Sequence, residues 1–238
     1  MKALILNSGL GSRMGDITNT HPKCMTEIDD NDTIVSRQLK LLQNCGVTDI
    51  VMTTGYFNEV LQEYCNGLGL DLNIEYINNP RFRETNYIYS IYCARDLLHD
   101  DIIMMHGDLV FTLDILKRII SSDKSVMTIS STLPLPEKDF KSVITGENIE
   151  KVGIEFFDSA YAAQPLYKIK KEDWEVWLDS IVSFCERGIT SCYAENAFNE
   201  VSDKCLIYPL DVKDELCSEI DNPEDLDRIS NEVKKLRK

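Results

Sequence analysis

The chain has 238 residues, of which 43% are hydrophobic and 27% are charged, a composition typical of a protein with a buried core rather than a disordered one. Its 25 Lys and Arg residues are outnumbered by 40 Asp and Glu residues, which gives a formal net charge of −15. Because a nucleic-acid duplex or an anionic membrane surface is bound by a positively charged face, both are disfavoured as partners. The basic residues among 234–238 are interpreted as the end of a terminal helix.

No stretch approaches the ~18 apolar residues that a membrane span requires, and the apolar run at residues 3–6 is too short for a signal peptide. The eight cysteines are scattered without a CxxC pair, and the chain has only three histidines. This pattern predicts free thiols in a reducing cytoplasm and disfavours a zinc site. Because no repeat, low-complexity tract or linker is present, we expect residues 1–238 to form a single domain.

Short apolar runs alternate with helical patterns through the first half of the chain. Strands are predicted at residues 2–6, 49–54, 72–77 and 101–105, and helices at residues 34–45, 57–65 and 86–98. Gly46 stands where the glycine after a helix C-terminus belongs. This alternation is typical of an α/β fold with a mostly parallel, doubly wound sheet flanked by helices.

The second half is less regular. The pattern predicts a strand at residues 125–129, a break at 133–136, an antiparallel excursion within 140–158 and a helix at 171–186. A last helix is predicted to begin at Asn222 and Pro223, because Asn is favoured as an N-cap and Pro in the first helical position.

A glycine-rich loop follows the first strand directly, with the sequence Asn-Ser-Gly-Leu-Gly-Ser-Arg-Met-Gly at residues 7–15. Glycines there let backbone N–H groups approach phosphate oxygens. The loop lacks the pattern of a P-loop, and Met14 puts the third glycine of a GxGxxG dinucleotide motif out of register. Arg13 lies inside the loop and Lys23 follows ten residues later. Two cations beside such a loop favour a polyphosphate ligand, and a tight strand-to-helix turn is the alternative.

The run from Leu6 to Arg13, followed by Pro22-Lys23, resembles the signature of nucleotidyltransferases that activate sugar phosphates and phosphocholine. The usual form of that signature is close to LAAGxG[ST]R followed by PK, and Asn7-Ser8 replaces the commoner Ala-Ala. The resemblance extends along nearly the whole chain, through residues 54–56, 86–92, 107–108 and 219–221. It implies a Rossmann-like mixed sheet with a small acceptor-side subdomain.

Within that family, the chain looks most similar to the cytidylyltransferases for phosphocholine and for 2-aminoethylphosphonate. The segments Asn7-Ser8 and His106-Gly107-Asp108-Leu109 favour the second of these. The resemblance implies that Arg13 contacts the β- and γ-phosphates of CTP and that Lys23 bridges the α-phosphate and the acceptor, as catalytic residues. It implies nucleotide-binding roles for Leu6, Asn7, Ser8, Gly9, Gly11, Ser12, Thr54, Gly55, Asn86, Ser90 and Gly107. Asn86 also fits as a plain helix N-cap.

Three carboxylates are candidates for a metal site. Asp108 follows a predicted strand, at the carboxyl end where open α/β sheets bind ligands. Glu219 and Asp221 share one face of a short extended segment. Such oxygen ligands suit Mg²⁺ bound together with phosphates, although each carboxylate taken alone is more consistent with a solvated surface charge. The resemblance implies that all three match the metal-binding carboxylates of the family.

The acceptor is expected to carry a cationic amine, which carboxylates and aromatic faces bind. Two stretches combine these residue types, at residues 155–158 and 193–200. In the phosphocholine enzymes an aromatic and acidic segment faces the choline, and the resemblance assigns this role to Tyr193, Glu195 and Asn196. Glu155 is the candidate in the first stretch, and an acidic solvated surface is the alternative for Glu155 and Glu195.

These residues predict a Mg²⁺-dependent cytidylyltransferase that transfers CMP from CTP to a small amine-bearing phosphonate or phosphate and releases pyrophosphate. The favoured acceptor is 2-aminoethylphosphonate, and phosphocholine is the alternative. Three other functions stay open: a sugar-1-phosphate nucleotidyltransferase on the same fold, a nicotinamide-dependent oxidoreductase, and a nucleotide-binding regulatory module without chemistry. No oligomeric state is predicted.

Overall fold

The structure, a computed structural model, describes residues 1–236. Arg237 and Lys238, the end of the basic run discussed above, lie outside the described residues. The strands are β1 (Lys2–Leu6), β2 (Glu27–Asp29), β3 (Asp32–Thr33), β4 (Asp49–Thr54), β5 (Asn73–Asn78), β6 (Ile102–His106), β7 (Leu109–Phe111), β8 (Val126–Ser130), β9 (Lys141–Thr145), β10 (Asn148–Gly153), β11 (Ala160–Ile169), β12 (Tyr208–Asp211) and β13 (Cys217–Glu219). The helices are α1 (Ile34–Asn44), α2 (Asn58–Gly67), α3 (Tyr87–Ala94), α4 (Leu113–Ser121), α5 (Lys171–Glu186), α6 (Ala194–Asn199) and α7 (Pro223–Leu236).

The centre of the fold is a nine-stranded mixed sheet with the order β10-β9-β11-β6-β1-β4-β5, in which β8 also pairs with β11 and β12. Strands β6, β1, β4 and β5 run parallel, whereas β11 lies antiparallel to β6. Two small ribbons, β7–β13 and β2–β3, stand outside this sheet. The predicted fold class, a mixed sheet with a parallel centre flanked by helices, is confirmed.

Helices cover both faces of the sheet because its central strands are apolar on both sides. Along β1, Leu4 and Leu6 pack into one core with α3, α5 and α6, while Ala3 and Ile5 pack into a second core with α1, α2 and α4. Successive side chains of a strand point to opposite faces, so these two cores lie on either side of the sheet. A third, smaller core lies beneath α7.

Local signals in the sequence set several element ends as predicted. Helix α1 ends at Asn44, and Gly46 has a positive φ of 75° that favours glycine. The Asn222 side chain accepts hydrogen bonds from the backbone N–H groups of Glu224 and Asp225, at 2.9 and 3.0 Å, and so caps α7. Strands β9 and β10 form the predicted antiparallel excursion.

The longest strand, β11, was not predicted. Gln164 and Pro165 interrupt its apolar pattern, and Pro cannot donate to a strand ladder. The structure accommodates this break with a register shift in the pairing of β11 with β8, between Ala163 and Tyr167. Helix α4 was also missed, although the Thr112 side chain caps it by accepting a hydrogen bond from the Ile115 N–H at 3.3 Å.

Two further expectations concern bilayers and thiols. None of the helices within residues 1–236 combines the length and the apolarity needed to cross a bilayer. All eight cysteines have free thiols, as predicted. The cytoplasmic location stays a prediction.

Candidate active site

The carboxyl ends of the parallel strands β1 and β6 lie side by side, since Leu6 pairs with His106. The chain leaves β1 into the glycine-rich loop and leaves β6 into Gly107 and Asp108, so both segments meet at one edge of the sheet. A cavity of about 300 Å³ opens there. Of the residues predicted to be functional, it is lined by Leu6, Asn7, Gly9, Gly11, Ser12, Arg13, Lys23, Asn86, Gly107, Asp108, Tyr193, Glu219 and Asp221.

A second cavity, of about 180 Å³, adjoins the first and shares six residues with it: Leu6, Gly9, Asn86, Tyr87, His106 and Asp108. It adds two more of the predicted nucleotide-binding residues, Ser8 and Ser90, together with Asn79, Phe82 and Thr85. The two cavities form a large and a small compartment, and residues of the glycine-rich loop line both of them.

Two glycines outside the loop pack directly against it. A Cβ atom at Gly55 would lie 2.5 Å from the carbonyl oxygen of Ser8, and one at Gly107 would lie 1.6 Å from Oδ1 of Asn7. A larger residue at position 55 would therefore push the loop backbone away, whereas one at position 107 would displace the Asn7 side chain and crowd the carbonyl oxygen of Leu6, 2.9 Å from the added Cβ. Gly55 supports the loop from behind and lines neither cavity, whereas Gly107 also faces the larger one.

The remaining nucleotide-site candidates differ in exposure to the cavities. Thr54 is buried and lines neither cavity, and its hydroxyl donates a hydrogen bond to Asn58 at 2.5 Å. Asn86 lines both cavities and also caps α3, since its side-chain oxygen accepts a hydrogen bond from the Tyr87 N–H at 2.8 Å. Ser90 is buried and its hydroxyl accepts a hydrogen bond from Asn79 at 3.0 Å.

Lys23 lies between two acidic side chains in the larger cavity. Its Nζ donates a hydrogen bond to Oδ1 of Asp221 at 2.9 Å and forms a close ion pair with Asp108. Arg13 donates to the other oxygen of Asp221 at 2.9 Å, and its side chain is 65% exposed. The glycine-rich loop, the Pro22-Lys23 segment and two distant carboxylates thus converge on one point.

The electrostatics of this cluster favour the charged forms. Burial by itself lowers the pKa of Lys23, but the neighbouring charges of Asp108 and Asp221 outweigh burial, so the pKa is raised. Burial acts to raise the pKa of Asp108, but Lys23 and His106 outweigh it, and the pKa is lowered. Lys23 is therefore a fixed cation in the floor of the cavity.

His106 was not predicted from the sequence. Its Nδ1 lies 2.8 Å from Oε1 of Glu219. Burial alone lowers the pKa of His106, but the charges of Glu219 and Asp108 raise it to about 9. Burial, followed by the charge of Asp108, raises the pKa of Glu219. The signal available in the sequence was a histidine placed directly before Gly-Asp at a strand end, and its partner stands 113 residues later.

The side chains of His106, Asp108 and Glu219 form the group that can hold a metal ion among residues 1–236, because one donor atom of each lies within 4.8 Å of the others. Oδ1 of Asp108 and Nε2 of His106 are buried without a hydrogen-bond partner. The carboxylates of Asp108 and Glu219, with one Asp108 oxygen not engaged in a hydrogen bond, fit a divalent cation. Asp221, the third predicted ligand, instead faces Lys23 and Arg13.

The four predicted acceptor residues do not come together at the cavity. Tyr193 lines it, whereas Glu195 is fully buried behind it and accepts hydrogen bonds from the hydroxyls of Tyr87 and Tyr167. Asn196 accepts a hydrogen bond from the Tyr193 N–H at 3.0 Å, at the start of α6. Glu155 is exposed and lines neither cavity.

Other residues form the wall of the larger cavity near Tyr193, and sequence reasoning missed them. They are Tyr87, Lys138, Asp139, Phe140 and Ile154. The rings of Phe140 and Tyr193 meet edge to face, with centroids 5.0 Å apart. Burial, followed by the charge of Asp221, raises the pKa of Asp139. This wall, which we call the acceptor wall, combines aromatic faces with a carboxylate and a lysine.

The family profile of the MobA-like NTP transferase domain matches residues 3–131. CTP:phosphoglutamine cytidylyltransferase of Campylobacter jejuni is 29% identical over 132 residues, which cover 53% of the chain and 51% of the relative. CMP-5'-(3-aminopropyl)phosphonate synthase of Streptomyces rubellomurinus is 30% identical over 135 residues, 57% of the chain and 21% of the relative. Choline-phosphate cytidylyltransferase of Haemophilus influenzae is 37% identical over 100 residues, 42% of the chain and 41% of the relative. The chain thus matches about half or less of the length of these relatives.

Solved structures share the fold over almost the entire chain. CTP:phosphocholine cytidylyltransferase from Streptococcus pneumoniae has a TM-score of 0.77 at 17% identity, covering 98% of this chain and 98% of that one. The inositol-1-phosphate CTP transferase from T. maritima has a TM-score of 0.78 at 20% identity, covering 98% of this chain and 96% of that one. At these identities the likeness shows a common fold.

Proposed function

The chain belongs to the MobA-like NTP transferase domain family, and from that premise we propose that it transfers a cytidylyl group from CTP to a small phosphate or phosphonate. The observation that carries the proposal is Lys23, held by Asp108 and Asp221 in a cavity bounded by the glycine-rich loop. The names of three relatives, each describing a cytidylyltransferase or the synthesis of a CMP-phosphonate, support the choice of CTP. We also propose that residues 1–238 act as one nucleotidyltransferase domain.

CTP would occupy both compartments. The N–H groups of the glycine-rich loop and the long, exposed side chain of Arg13 suit the triphosphate, because fixed donors and a guanidinium bind phosphate oxygens. The small compartment, with Ser8, Asn79 and Ser90 as polar groups, suits the base and ribose. Gly55 supports this arrangement from behind the loop, and Thr54 precedes it at the end of β4.

The reaction is an in-line displacement at the α-phosphorus of CTP. An anionic oxygen of the acceptor attacks, a new P–O bond forms, and the bond to pyrophosphate breaks. Because the attacking oxygen is already anionic, no general base is needed, and the protein contributes alignment and charge stabilisation. Lys23 binds the α-phosphate and the acceptor oxygen, and Arg13 stabilises the charge that develops on the leaving pyrophosphate.

Asp108 and Glu219 are the residues proposed to hold Mg²⁺, with His106 beside them and Asp221 as a further carboxylate. A bound Mg²⁺ would supply charge neutralisation and orientation of the phosphate groups. Asp108 is held in its charged form by Lys23 and His106, which keeps one strong oxygen donor available at neutral pH. Asp221 orients Lys23 and Arg13 through one oxygen each.

The acceptor would lie against the acceptor wall with its amine near Asp139 and the rings of Tyr193 and Phe140. A carboxylate between aromatic faces binds an ammonium group. Among the residues first assigned to this role, Tyr193 makes direct contact, while Glu195 acts through Tyr87 and Asn196 through the start of α6. We favour 2-aminoethylphosphonate as the acceptor, and phosphocholine is the second choice.

A pyrophosphate-release screen tests this function. Each of the four nucleoside triphosphates is combined with 2-aminoethylphosphonate, phosphocholine, phosphoethanolamine and a hexose 1-phosphate, in the presence of Mg²⁺. We expect release with CTP and an amine-bearing acceptor. Release only with a hexose 1-phosphate would replace the proposal with a sugar nucleotidyltransferase, and CTP binding without release in any arm would indicate a regulatory module.

A further inference from the structure

Lys141, the first residue of β9, is a fully buried lysine at 0% exposure. Its Nζ donates hydrogen bonds to the carbonyl oxygens of Pro136 and Asp139, at 2.6 and 3.0 Å. The same ammonium lies 4.2 Å from the centroid of the Phe157 ring. Lysine is rarely buried completely, and a buried charge is costly unless it is well bonded. A side chain of this kind therefore has a specific task in the fold.

The partners of Lys141 lie on two different loops. Pro136 and Asp139 belong to residues 131–140, between β8 and β9, and Phe157 belongs to residues 154–159, between β10 and β11. Both loops reach the larger cavity, since the first carries Lys138, Asp139 and Phe140 and the second carries Ile154. A single ammonium group thus joins the two segments that build most of the acceptor wall.

We propose that Lys141 is a positioning residue that fixes the acceptor wall by tying these two loops together. That the wall binds the acceptor rests on the proposed function. That Lys141 links the two loops rests on the geometry alone. Irregular loops have many accessible conformations. Hydrogen bonds from a buried donor to two carbonyls of one loop, with an aromatic contact to the other, restrict both loops before the acceptor arrives. Small displacements of binding groups reduce turnover strongly.

The expected consequence is selective. The glycine-rich loop, Lys23 and the small compartment lie on other elements, so loss of the Lys141 ammonium should disturb binding of the acceptor and leave binding of CTP intact. Lys141→Met keeps most of the side-chain volume and removes the ammonium. Phe157→Leu removes the aromatic face at an exposed position, where folding is not at risk.

Lys168 provides a matched control. It is also buried, at 5% exposure, and its Nζ donates a hydrogen bond to a backbone carbonyl, that of Ser122, at 2.6 Å. It lies on β11 and lines neither cavity. Lys168→Met therefore carries the same loss of a buried ammonium without touching the acceptor wall.

The first measurement is steady-state kinetics with the acceptor that gives the fastest pyrophosphate release. We expect Lys141→Met to raise the KM for the acceptor by ~10-fold or more and to change the KM for CTP by less than about twofold. Phe157→Leu should shift the acceptor KM in the same direction by a smaller factor, and Lys168→Met should leave both KM values unchanged. Equal acceptor KM values in wild type, Lys141→Met and Phe157→Leu would overturn the inference.

The second measurement does not depend on activity. Hydrogen–deuterium exchange of the full chain should show faster exchange in residues 131–140 and 154–159 of Lys141→Met, with no change in residues 7–15. If the wild type releases no pyrophosphate with any acceptor, the proposed function fails. The exchange experiment alone then decides whether Lys141 holds the two loops together. Unchanged exchange in both loops would refute it. If Lys141→Met does not fold, Phe157→Leu is compared with wild type in the same way.

Discussion

Lys23 donates a hydrogen bond to Asp221 across 2.9 Å, although the two residues are 198 positions apart in the sequence. The contact joins the segment after the glycine-rich loop to the segment that leads into α7. The same ammonium pairs with Asp108, two residues after the end of β6. Three distant parts of the chain therefore meet at one lysine, and the proposed chemistry depends on its charge.

We predict that Lys23→Ala lowers kcat by more than ~10²-fold while the fold is retained, because removal of one group that stabilises transition-state charge has an effect of that size. Pyrophosphate release gives kcat, and circular dichroism checks the fold. Lys170→Ala is the control, since this half-buried lysine pairs with Glu172 and lines neither cavity. Equal kcat values for wild type and Lys23→Ala would remove Lys23 from the mechanism.

The glycine-rich loop is expected to need Gly55 behind it. A Cβ at this position would lie 2.5 Å from the Ser8 carbonyl oxygen, so Gly55→Ala must displace the loop. We predict that the KM for CTP rises by ~10-fold or more. Gly67→Ala is the matched control, because a Cβ at Gly67 has no neighbour within 4 Å. A CTP KM in Gly55→Ala equal to that in Gly67→Ala would contradict this account of the loop.

Metal binding should depend on Asp108. Its Oδ1 is buried without a partner, and Glu219 lies next to it. We predict that Asp108→Asn weakens Mn²⁺ binding by ~10-fold or more, measured by electron paramagnetic resonance of the free ion in the absence of nucleotide. Asp179→Asn, on the exposed face of α5, is the control. Wild-type affinity in Asp108→Asn would exclude this carboxylate as a ligand.

The His106–Glu219 pair predicts a pH dependence of stability. The pKa of His106 is raised from 6.5 to about 9 in the folded state. Its contribution to stability is therefore fully present below about pH 6.5 and is lost as the pH rises through about 9. The pKa of Glu219 is also raised, so this group, too, makes the folded chain bind more protons than the unfolded chain.

We therefore expect the free energy of unfolding to fall with pH in wild type and to fall less steeply in His106→Asn. Urea unfolding between pH 6 and 9, with a chelator present, measures both slopes. The cysteines are common to both proteins, so their ionisation cancels in the comparison. His99→Asn, at an exposed position, is the matched control for the loss of a histidine. Identical slopes for wild type and His106→Asn would show that the pKa of His106 is not raised in the folded state as described.

Local patterns in the sequence were sufficient for the centre of the fold. The apolar runs of β1 and β6 predict buried strands, and the end of each strand predicts where the glycine-rich loop and Asp108 come together. Helix α7 was predicted from its cap alone. Strand β11 was not, because Gln164 and Pro165 break the alternation and only the register shift against β8 makes room for them.

In the candidate site, too, local patterns predicted some residues and failed for those whose position depends on distant parts of the chain. Residues of the glycine-rich loop, Lys23 and Asp108 carry short-range signals, and the structure brings them to one cavity. Glu195 looked like a binding carboxylate, but its partners Tyr87 and Tyr167 are 108 and 28 residues away, and they hold it behind the cavity. Pairings over such distances depend on how the sheet is ordered, which no local pattern contains.

The most direct test of the proposed function is phosphorus NMR of the wild-type protein with CTP, 2-aminoethylphosphonate and Mg²⁺. Cytidylyl transfer predicts the loss of the three CTP signals, with one equivalent of pyrophosphate and a new pair of coupled signals from a CMP–phosphonate anhydride. Lys23→Ala should leave CTP intact over the same time. Unchanged CTP with wild type, here and with phosphocholine and phosphoethanolamine, or its conversion to CDP and inorganic phosphate, would contradict the account.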